Sequence, residues 1–444
     1  MQRKKAQFQV SNNLSRNSVG IPNLKQKLLE WGRTFGIFTY LDNNSYSGYQ
    51  YSSYDLLIGA GEASSVKPEA GNAFGSLKNF LDKNKDWCFG FFSYDLKNQV
   101  EHLASENEDH IEMPDLYFYQ PEIVILLKDN ILEIQSLVDE PEKIFQKIEK
   151  SEIPEYPQPS FIEIKSRISR GDYIDKIKAI RQHIEEGDVY ELNLCQEFFA
   201  ENVKIDPFAV FDKLNNIAKA PFSVFLKYEE KYLLCTSPER FLRKEKNKLI
   251  SQPIKGTIRR GATPEEDEIL KSELENDVKE RAENVMIVDL VRNDLTRSAK
   301  TGTIKVEELF KIYSFENVNQ MISTITAALA DEVHPVDAIR NAFPMGSMTG
   351  APKVMAMELI EQYEETKRGL YSGAVGYFTP EMDFDFNVVI RSILYNSNIP
   401  YLSFQVGGAI TYDSVPEKEF EETLLKAENL KRALKASRPR YGTS

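Results

Sequence analysis

The stretch VGGAITYDSVPEKEFEETLLKAENL, residues 406–430, joins a strand to a helix and decides the class of the fold. Residues 402–410 have the composition of a β-strand, and residues 416–436 have the apolar spacing of an amphipathic helix. Within that helix, Phe420, Leu424 and Ala427 share one stripe that is suited to pack on a core. A helix that covers a sheet in this way predicts an α+β protein with large sheets covered by helices.

The same alternation of strands and helices extends back to about residue 161. A helix is predicted before Gly187, because isoleucines recur at helical spacing there, at Ile174, Ile177, Ile180 and Ile184. Thr263 and Pro264 are typical of a helix start, and that helix is expected to run, with a break, to about Leu290. Residues 374–379 and 384–394 are predicted to form a hairpin of two strands.

Three prolines between residues 153 and 159 predict an extended linker. The sequence is therefore divided into an N-terminal region, 1–155, which contributes strands to the shared sheets, and a catalytic region, 161–436. A C-terminal tail, 437–444, follows.

Composition excludes several classes of function. A net charge of −13 and a pI near 5.1 argue against nucleic acid and against anionic membranes as partners. The three cysteines are widely spaced, which favours reduced thiols over disulfides or a zinc site. No apolar run is long enough to span a membrane, and the N-terminus lacks the apolar segment of a signal peptide, so a cytoplasmic protein is expected.

Two pairs of glutamates suggest a cation site. Glu280 and Glu283 share one face of a predicted helix, and Glu419 and Glu422 do so on another, with Lys426 on the same stripe. Four carboxylates facing one another would repel unless a divalent cation offset their charge, and carboxylate oxygens suit Mg²⁺. The alternative is two solvated helix faces, because this spacing is common. Nothing in the sequence shows that the two helices meet.

Other segments could hold an anion or act as a nucleophile. The small-residue loop 346–353 ends at Pro352, a favourable first helical position, and Gly407-Gly408-Ala409 allows close backbone approach. Arg391 lies in an apolar, strand-like run and needs a carboxylate partner, from the protein or from a ligand. Lys255, in SQPIKGT (residues 251–257), is either a solvated lysine or a buried nucleophile.

Six ordered blocks resemble the chorismate-utilising enzymes, a family that includes anthranilate synthase component I, isochorismate synthase and salicylate synthase. The blocks are TSPERF (236–241), PIKGT (253–257), ERAENVMIVDLVRNDL (280–295), FPMGSMTGAPK (343–353), YSGAVGY (371–377) and the stretch 406–430 quoted above. The resemblance implies two large β-sheets packed face to face as an orthogonal sandwich, with helices on the outside, like anthranilate synthase component I.

The resemblance also assigns roles to residues. It implies that Mg²⁺ is held directly by Glu283 and Glu422 and, directly or through water, by Glu280 and Glu419. It implies that Glu239 is the general acid. The residues implied to contact substrate are Arg391, Tyr371, Gly407, Gly408, Ala409, Lys426, Gly256, Thr257 and Thr349.

The form PIKGT resembles members that convert chorismate and ammonia to 4-amino-4-deoxychorismate, a folate precursor. In that reaction Lys255 would add at ring carbon C2 and ammonia would then displace it at C4, and burial near a metal is expected to lower the pKa of the lysine. No glutamine amidotransferase motif is present, so a separate amidotransferase partner is implied to supply ammonia.

Two positions depart from the family pattern. Glu191 stands where aminating members usually have glutamine and water-adding members have lysine, and Gln320 stands where histidine is usual. Glutamine cannot transfer a proton, which favours a product that keeps its enolpyruvyl group. The alternatives are an anthranilate-forming member of the family and a non-catalytic subunit that binds chorismate.

Overall fold

The computed structural model describes residues 2–10, 21–46, 51, 53–68, 71–156 and 162–435. The predicted tail, 437–444, and the end of the proline-rich linker lie outside these residues. The predicted boundary between an N-terminal and a catalytic region therefore stays a prediction.

Twenty β-strands and eleven α-helices occur within the described residues. The strands are β1 Lys4–Gln9, β2 Ile37–Asp42, β3 Leu56–Val66, β4 Cys88–Phe92, β5 Leu116–Lys128, β6 Ile131–Ser136, β7 Lys165–Ser166, β8 Glu191–Glu201, β9 Phe222–Tyr228, β10 Lys231–Ser237, β11 Arg240–Glu245, β12 Lys248–Gln252, β13 Ile254–Arg259, β14 Lys305–Ser314, β15 Val318–Ala328, β16 Gly350–Ala351, β17 Ala374–Phe378, β18 Phe384–Asn387, β19 Ser392–Asn396 and β20 Tyr401–Ile410. The helices are α1 Ile21–Trp31, α2 Ala73–Lys83, α3 Lys97–Val100, α4 Pro141–Glu149, α5 Arg170–Glu186, α6 Pro207–Ala218, α7 Pro264–Asn276, α8 Val278–Thr296, α9 Pro335–Ala342, α10 Lys353–Tyr363 and α11 Pro416–Leu434.

The strands form two antiparallel halves that share the long strand β5. One half has the order β1–β6–β5–β3–β2–β9–β10–β19–β20–β8. The other half has the order β5–β4–β17–β18–β11–β12–β15, and β13 and β14 also pair with β15. Strand β5 has 13 residues, and this length allows it to pair with strands of both halves.

Alternation along the strands separates the interior of the fold from its outer faces. In β4, Phe89 and Phe91 point into a core made from strands and loops alone, whereas Phe92 points to a core that includes α2, α8 and α9. Aromatic rings from the two halves meet in the interior, where the ring centroids of Phe91 on β4 and Tyr228 on β9 are 6.4 Å apart. A third core lies on the other outer face, under α1, α4, α6 and α11. The predicted α+β class, with large packed sheets and helices outside, is confirmed.

Most predicted elements that frame the site are present. Helix α5 ends at Gly187 in the left-handed conformation, with φ 89°, as the spacing predicted. The helix that begins at Thr263 breaks at Asp277, whose side chain accepts a hydrogen bond from the Glu280 backbone N–H and so starts α8.

Two local predictions are wrong. The run 384–394 is not one strand, because it breaks between β18 and β19, and Arg391 lies in the break with φ 52°. Pro352 is not the first helical residue but precedes α10, and Gly350-Ala351 pairs with β8 instead of forming an open loop. In both places a tertiary contact overrides the local pattern. Within the described residues, no helix is both long enough and apolar enough to cross a membrane.

Candidate active site

Helices α8 and α11 bring the two pairs of glutamates together. The ammonium group of Lys279 lies within electrostatic reach of all four carboxylates, those of Glu283, Glu419, Glu280 and Glu422. Helix α11 is held by Phe420, which is buried in a core shared with α5 and β8, and by Ala427, and this leaves Glu419 and Glu422 within reach of Lys279 on α8. The placement of the two helices therefore supplies what the sequence could not show, an acidic pocket to which both contribute.

The acidic pocket raises the proton affinity of two of its members. Burial, and then the neighbouring Glu283 carboxylate, raise the pKa of Glu280. Burial also raises the pKa of Glu419, although the Ser414 hydroxyl donates a hydrogen bond of 2.8 Å to it. Burial acts in the same direction on Glu422, but the Lys426 ammonium group 2.6 Å away outweighs it and holds the pKa of Glu422 below its usual range.

The chemistry of this donor set fits a hard divalent cation. Carboxylates crowded into a half-buried pocket are destabilised by their own repulsion, which a cation would relieve. Three ligand atoms that lie within 4.8 Å of one another, as in a preformed metal site, occur among the described residues only at His183, Glu186 and Asp188, and not at the four glutamates. Both ring nitrogens of that histidine already contact Asp188 and Tyr363. The role of the four glutamates as Mg²⁺ ligands stays a prediction.

Lys255 lies beside the acidic pocket, not on the surface. Its Nζ donates to Glu191 Oε1 at 2.7 Å and lies 3.8 Å from Glu283 Oε2, and its side chain is only 12% exposed. Burial lowers the pKa of Lys255, as expected, but the Glu191, Glu283 and Glu239 carboxylates outweigh burial, so the pKa is raised. With only these carboxylates around it the lysine shows the opposite shift, and the lowering of its pKa by a nearby metal stays a prediction. Of the two alternatives for Lys255, a solvated lysine or a buried one, the structure shows the buried one.

The backbone around Lys255 is shaped by Gly256. This residue has φ 93°, and a Cβ added to it would lie 3.1 Å from Leu274 and 3.2 Å from Glu280 Oε2. The pairing of β13 with β15 shifts register here, and Thr257 is paired with Gln320 after the shift. Gln320 Nε2 makes a long contact of 3.4 Å with Thr257 Oγ1. The irregular strand turns the lysine toward α8.

Glu239 is buried at the start of β11 and is suited to hold a proton at neutral pH. Burial raises its pKa to about 7, against opposing effects from the Ser347 hydroxyl and from Lys255. A small cavity of about 20 Å³, large enough for one water molecule, is lined by Glu239, Ser347 and Asp294 among others. A carboxyl group with this pKa can give up a proton to a departing hydroxyl group.

Arg391 presents a guanidinium group with free donors next to Tyr371. In the part of the chain that the structure describes, its hydrogen bond goes to the Lys426 carbonyl oxygen at 3.1 Å. Burial lowers the pKa of Arg391, and Tyr371 and Glu422 oppose that effect. A buried guanidinium with one backbone acceptor has donors left for a carboxylate ligand.

The Gly407-Gly408-Ala409 segment of β20 lies against α11. Lys426 Nζ donates to the Gly407 carbonyl oxygen at 2.8 Å, so this oxygen is already used by the protein. A Cβ on Gly408 would be 3.6 Å from both Glu419 Oε2 and Lys426 Nζ. The segment therefore forms one wall of the acidic pocket.

Thr349, another predicted contact residue, is enclosed by its own turn. Its side chain is fully buried, and its hydroxyl group lies 3.3 Å from the Met345 and Gly346 carbonyl oxygens of its own turn. Its carbonyl oxygen accepts from the Asn193 backbone N–H, which fixes the loop to β8. The geometry gives Thr349 a structural position instead of a contact position.

Three neighbours of the site were not assigned roles from the sequence: Glu191, Lys279 and Ser347. Lys279 had a usable signal, because it stands one residue before Glu280 and one helical turn before Glu283. Glu191 was noted only as a departure from the family pattern, and Ser347 gave no signal; their partners Lys255 and Glu239 are distant in sequence.

Fold and site together define an α+β protein whose helices carry an acidic pocket next to a buried lysine, a buried carboxyl group with a raised pKa, and an arginine. The chain belongs to the chorismate binding enzyme family, whose model matches residues 46–432.

Curated relatives and solved structures agree with this family. The chain is 35% identical over 345 residues to aminodeoxychorismate synthase component 1 of Klebsiella aerogenes, covering 77% of this chain and 76% of that protein. It is 37% identical over 379 residues to a chloroplastic aminodeoxychorismate synthase of Arabidopsis thaliana, of which it spans 40%. The crystal structure of anthranilate synthase component I from Streptococcus pneumoniae matches with a TM-score of 0.69 and 28% identity, over 77% of this chain and 79% of that one.

Proposed function

We propose that this protein is the component of aminodeoxychorismate synthase that converts chorismate and ammonia to 4-amino-4-deoxychorismate. The observation that carries the proposal is the position of Lys255, whose amine is buried between Glu191, Glu283 and Glu239. A lysine there is suited to attack an anionic ring bound over the acidic pocket. The names of the relatives from Klebsiella aerogenes and Arabidopsis thaliana support the same substrate class.

The reaction needs two displacements on the ring. Lys255 Nζ, as the neutral amine, bonds to C2 while the C4–O bond breaks, and Glu239 gives its proton to the departing hydroxyl, which leaves as water. Glu191, which already accepts the hydrogen bond from Lys255, is placed to take the proton that the lysine must lose first. Ammonia then bonds to C4 as the C2–N bond breaks, and the electron pair returns to the lysine nitrogen. A proton from the new ammonium group restores Glu239.

Substrate binding divides between a cation and an arginine. Glu280, Glu283, Glu419 and Glu422 would hold Mg²⁺, which when bound supplies positive charge for the ring carboxylate of chorismate. Arg391 and Tyr371 would bind the enolpyruvyl carboxylate, which is supported by the donors that Arg391 has left after its bond to the backbone. Gly407, Gly408 and Ala409 would approach the substrate through their backbone.

Ammonia would come from a glutamine amidotransferase subunit. The name "component 1" of the bacterial relatives is that of one part of an assembly. The product would be a precursor of folate, and the cytoplasm is proposed as the place of the reaction, as expected from the sequence.

The test is product analysis with chorismate, Mg²⁺ and an ammonium salt, read by chromatography. The wild-type protein is expected to form 4-amino-4-deoxychorismate, and Lys255→Ala is expected to lose at least about 100-fold of that rate, because the covalent step is removed. Lys244→Ala is the matched control, because Lys244 is also a buried lysine, paired with Asp383 at 2.8 Å away from the site. Full activity of Lys255→Ala would refute the lysine mechanism.

A second candidate is anthranilate synthase component I, because a solved structure of that enzyme shares the fold at 28% identity. The same assay separates the two, since anthranilate is fluorescent and aromatic and lacks the enolpyruvyl group. Chorismate binding without any product would indicate a non-catalytic subunit instead.

A further inference from the structure

Lys255 lies between two carboxylates that belong to different elements. Glu191 Oε1, on β8, is 2.7 Å from its Nζ, and Glu283 Oε2, on α8, is 3.8 Å away. We propose that Glu191 is a positioning residue that holds Lys255 away from Glu283 and thereby leaves Glu283 free to bind a divalent cation. This inference rests on the proposed function, because that function places the cation and the lysine in one pocket.

The backbone of Glu191 is fixed by a close crossing of two segments. Gly350 approaches it so closely that an added Cβ would lie 2.1 Å from the Glu191 carbonyl oxygen. Ala351 is paired with Glu191, and its carbonyl oxygen accepts from the Tyr190 backbone N–H at 2.7 Å. Because the Glu191 side chain is only 7% exposed, its carboxylate has little freedom to leave the lysine. Glu191 is therefore held in place by the segment that contains Gly350 and Ala351.

Glu283 needs such an anchor because two lysines approach it. Lys279 Nζ is 3.7 Å from Glu283 Oε1, but its side chain is 55% exposed and can turn into solvent. Lys255 is buried, so without Glu191 its ammonium group would move to the nearest remaining carboxylates, those of Glu283 and Glu239. An ammonium group on Glu283 would then compete with a cation for the same oxygen atoms.

Lys426 shows the opposite arrangement in the same pocket. Its Nζ donates to the Gly407 carbonyl oxygen at 2.8 Å and also lies 2.6 Å from Glu422 Oε1. A neutral carbonyl does not draw the ammonium away from Glu422, whereas the charged Glu191 does draw Lys255 from Glu283. The difference between the two lysines is the charge of the anchor.

The experiment measures Mg²⁺ affinity of the full chain by calorimetry, without chorismate. Glu191→Ala is expected to weaken Mg²⁺ binding about tenfold, because Lys255 then occupies Glu283. Glu191→Gln is expected to weaken it by a similar factor, because a neutral amide oxygen, like the Gly407 carbonyl oxygen beside Lys426, does not draw the ammonium group away from a carboxylate. Equal affinity of Glu191→Ala and the wild-type protein would overturn the inference.

The double variant Glu191→Ala/Lys255→Met separates positioning from other effects. Removal of the competing charge is expected to restore the affinity to within about twofold of the wild-type value. Weak binding that persists in the double variant would mean that Glu191 acts on the cation by another route, and would also overturn the inference.

Glu197→Gln is the matched control on the same strand. Glu197 is buried and pairs with Arg167 at 2.9 Å, remote from the pocket, so this variant is expected to bind Mg²⁺ like the wild-type protein. Weakening by Glu197→Gln as much as by Glu191→Ala would assign the effect to damage in β8 and refute the positioning role. The proposed function is tested separately, by the product of the wild-type protein, so one can fail while the other stands.

Discussion

The buried carboxyl group of Glu239 predicts a specific dependence of stability on pH. Its pKa is raised from the ordinary value of 4.5 to about 7, mainly by burial. A carboxyl group that binds its proton more tightly in the folded state stabilises that state below pH about 4.5, and this stabilisation is lost as the pH rises to about 7. Because each tenfold change in proton affinity corresponds to about 1.4 kcal/mol, the total loss is about 3 kcal/mol.

The assay is urea unfolding of the wild-type protein and of Glu239→Gln at several pH values from 4.5 to 8. The glutamine variant keeps the size of the side chain but has no proton to lose. The free energy of unfolding of the wild-type protein, relative to that of the variant, is expected to fall by about 3 kcal/mol across this range. Ser347→Ala is expected to extend the fall to higher pH, because the Ser347 hydroxyl lowers the pKa of Glu239. A difference between wild type and Glu239→Gln that is the same at pH 4.5 and pH 8 would refute the reasoning.

Three further outcomes follow from the geometry of the pocket walls. Arg391→Lys is expected to raise the KM for chorismate about tenfold or more in steady-state kinetics, because a lysine cannot donate two parallel hydrogen bonds to a carboxylate; an unchanged KM would remove Arg391 from the binding site. Gly407→Ala is expected to lower the free energy of unfolding, measured with urea, by about 1–3 kcal/mol, because its Cβ would lie 2.2 Å from the Leu194 carbonyl oxygen. Gly408→Ala is expected to leave the free energy of unfolding nearly unchanged. Equal losses of stability in the two variants would contradict the conclusion that only Gly407 lacks space for a Cβ. Asp277→Ala is expected to lose about 1 kcal/mol of stability, because its side chain caps α8 at the Glu280 N–H; a thermal melt equal to wild type would show that the cap is dispensable.

The sequence predicted the elements whose signals are local. The helix stop at Gly187 and the helix start at Thr263 both depend on the chemistry of a few adjacent residues, and both are present. The strand break at Arg391 and the pairing of Gly350 with β8 were missed for the opposite reason. Each depends on a neighbour far away in the chain, and the local pattern carries no trace of it.

The same division holds for the candidate site. The spacing of Glu280 with Glu283, and of Glu419 with Glu422, determined that each helix presents two carboxylates on one face, because three residues nearly complete a helical turn. Only the tertiary structure decided that the two faces meet and that Lys255 lies beside them with Glu191 as its partner. The balance between burial, which lowers the pKa of that lysine, and the nearby carboxylates, which raise it, was also set there, since it depends on distances in space that no spacing along the chain contains.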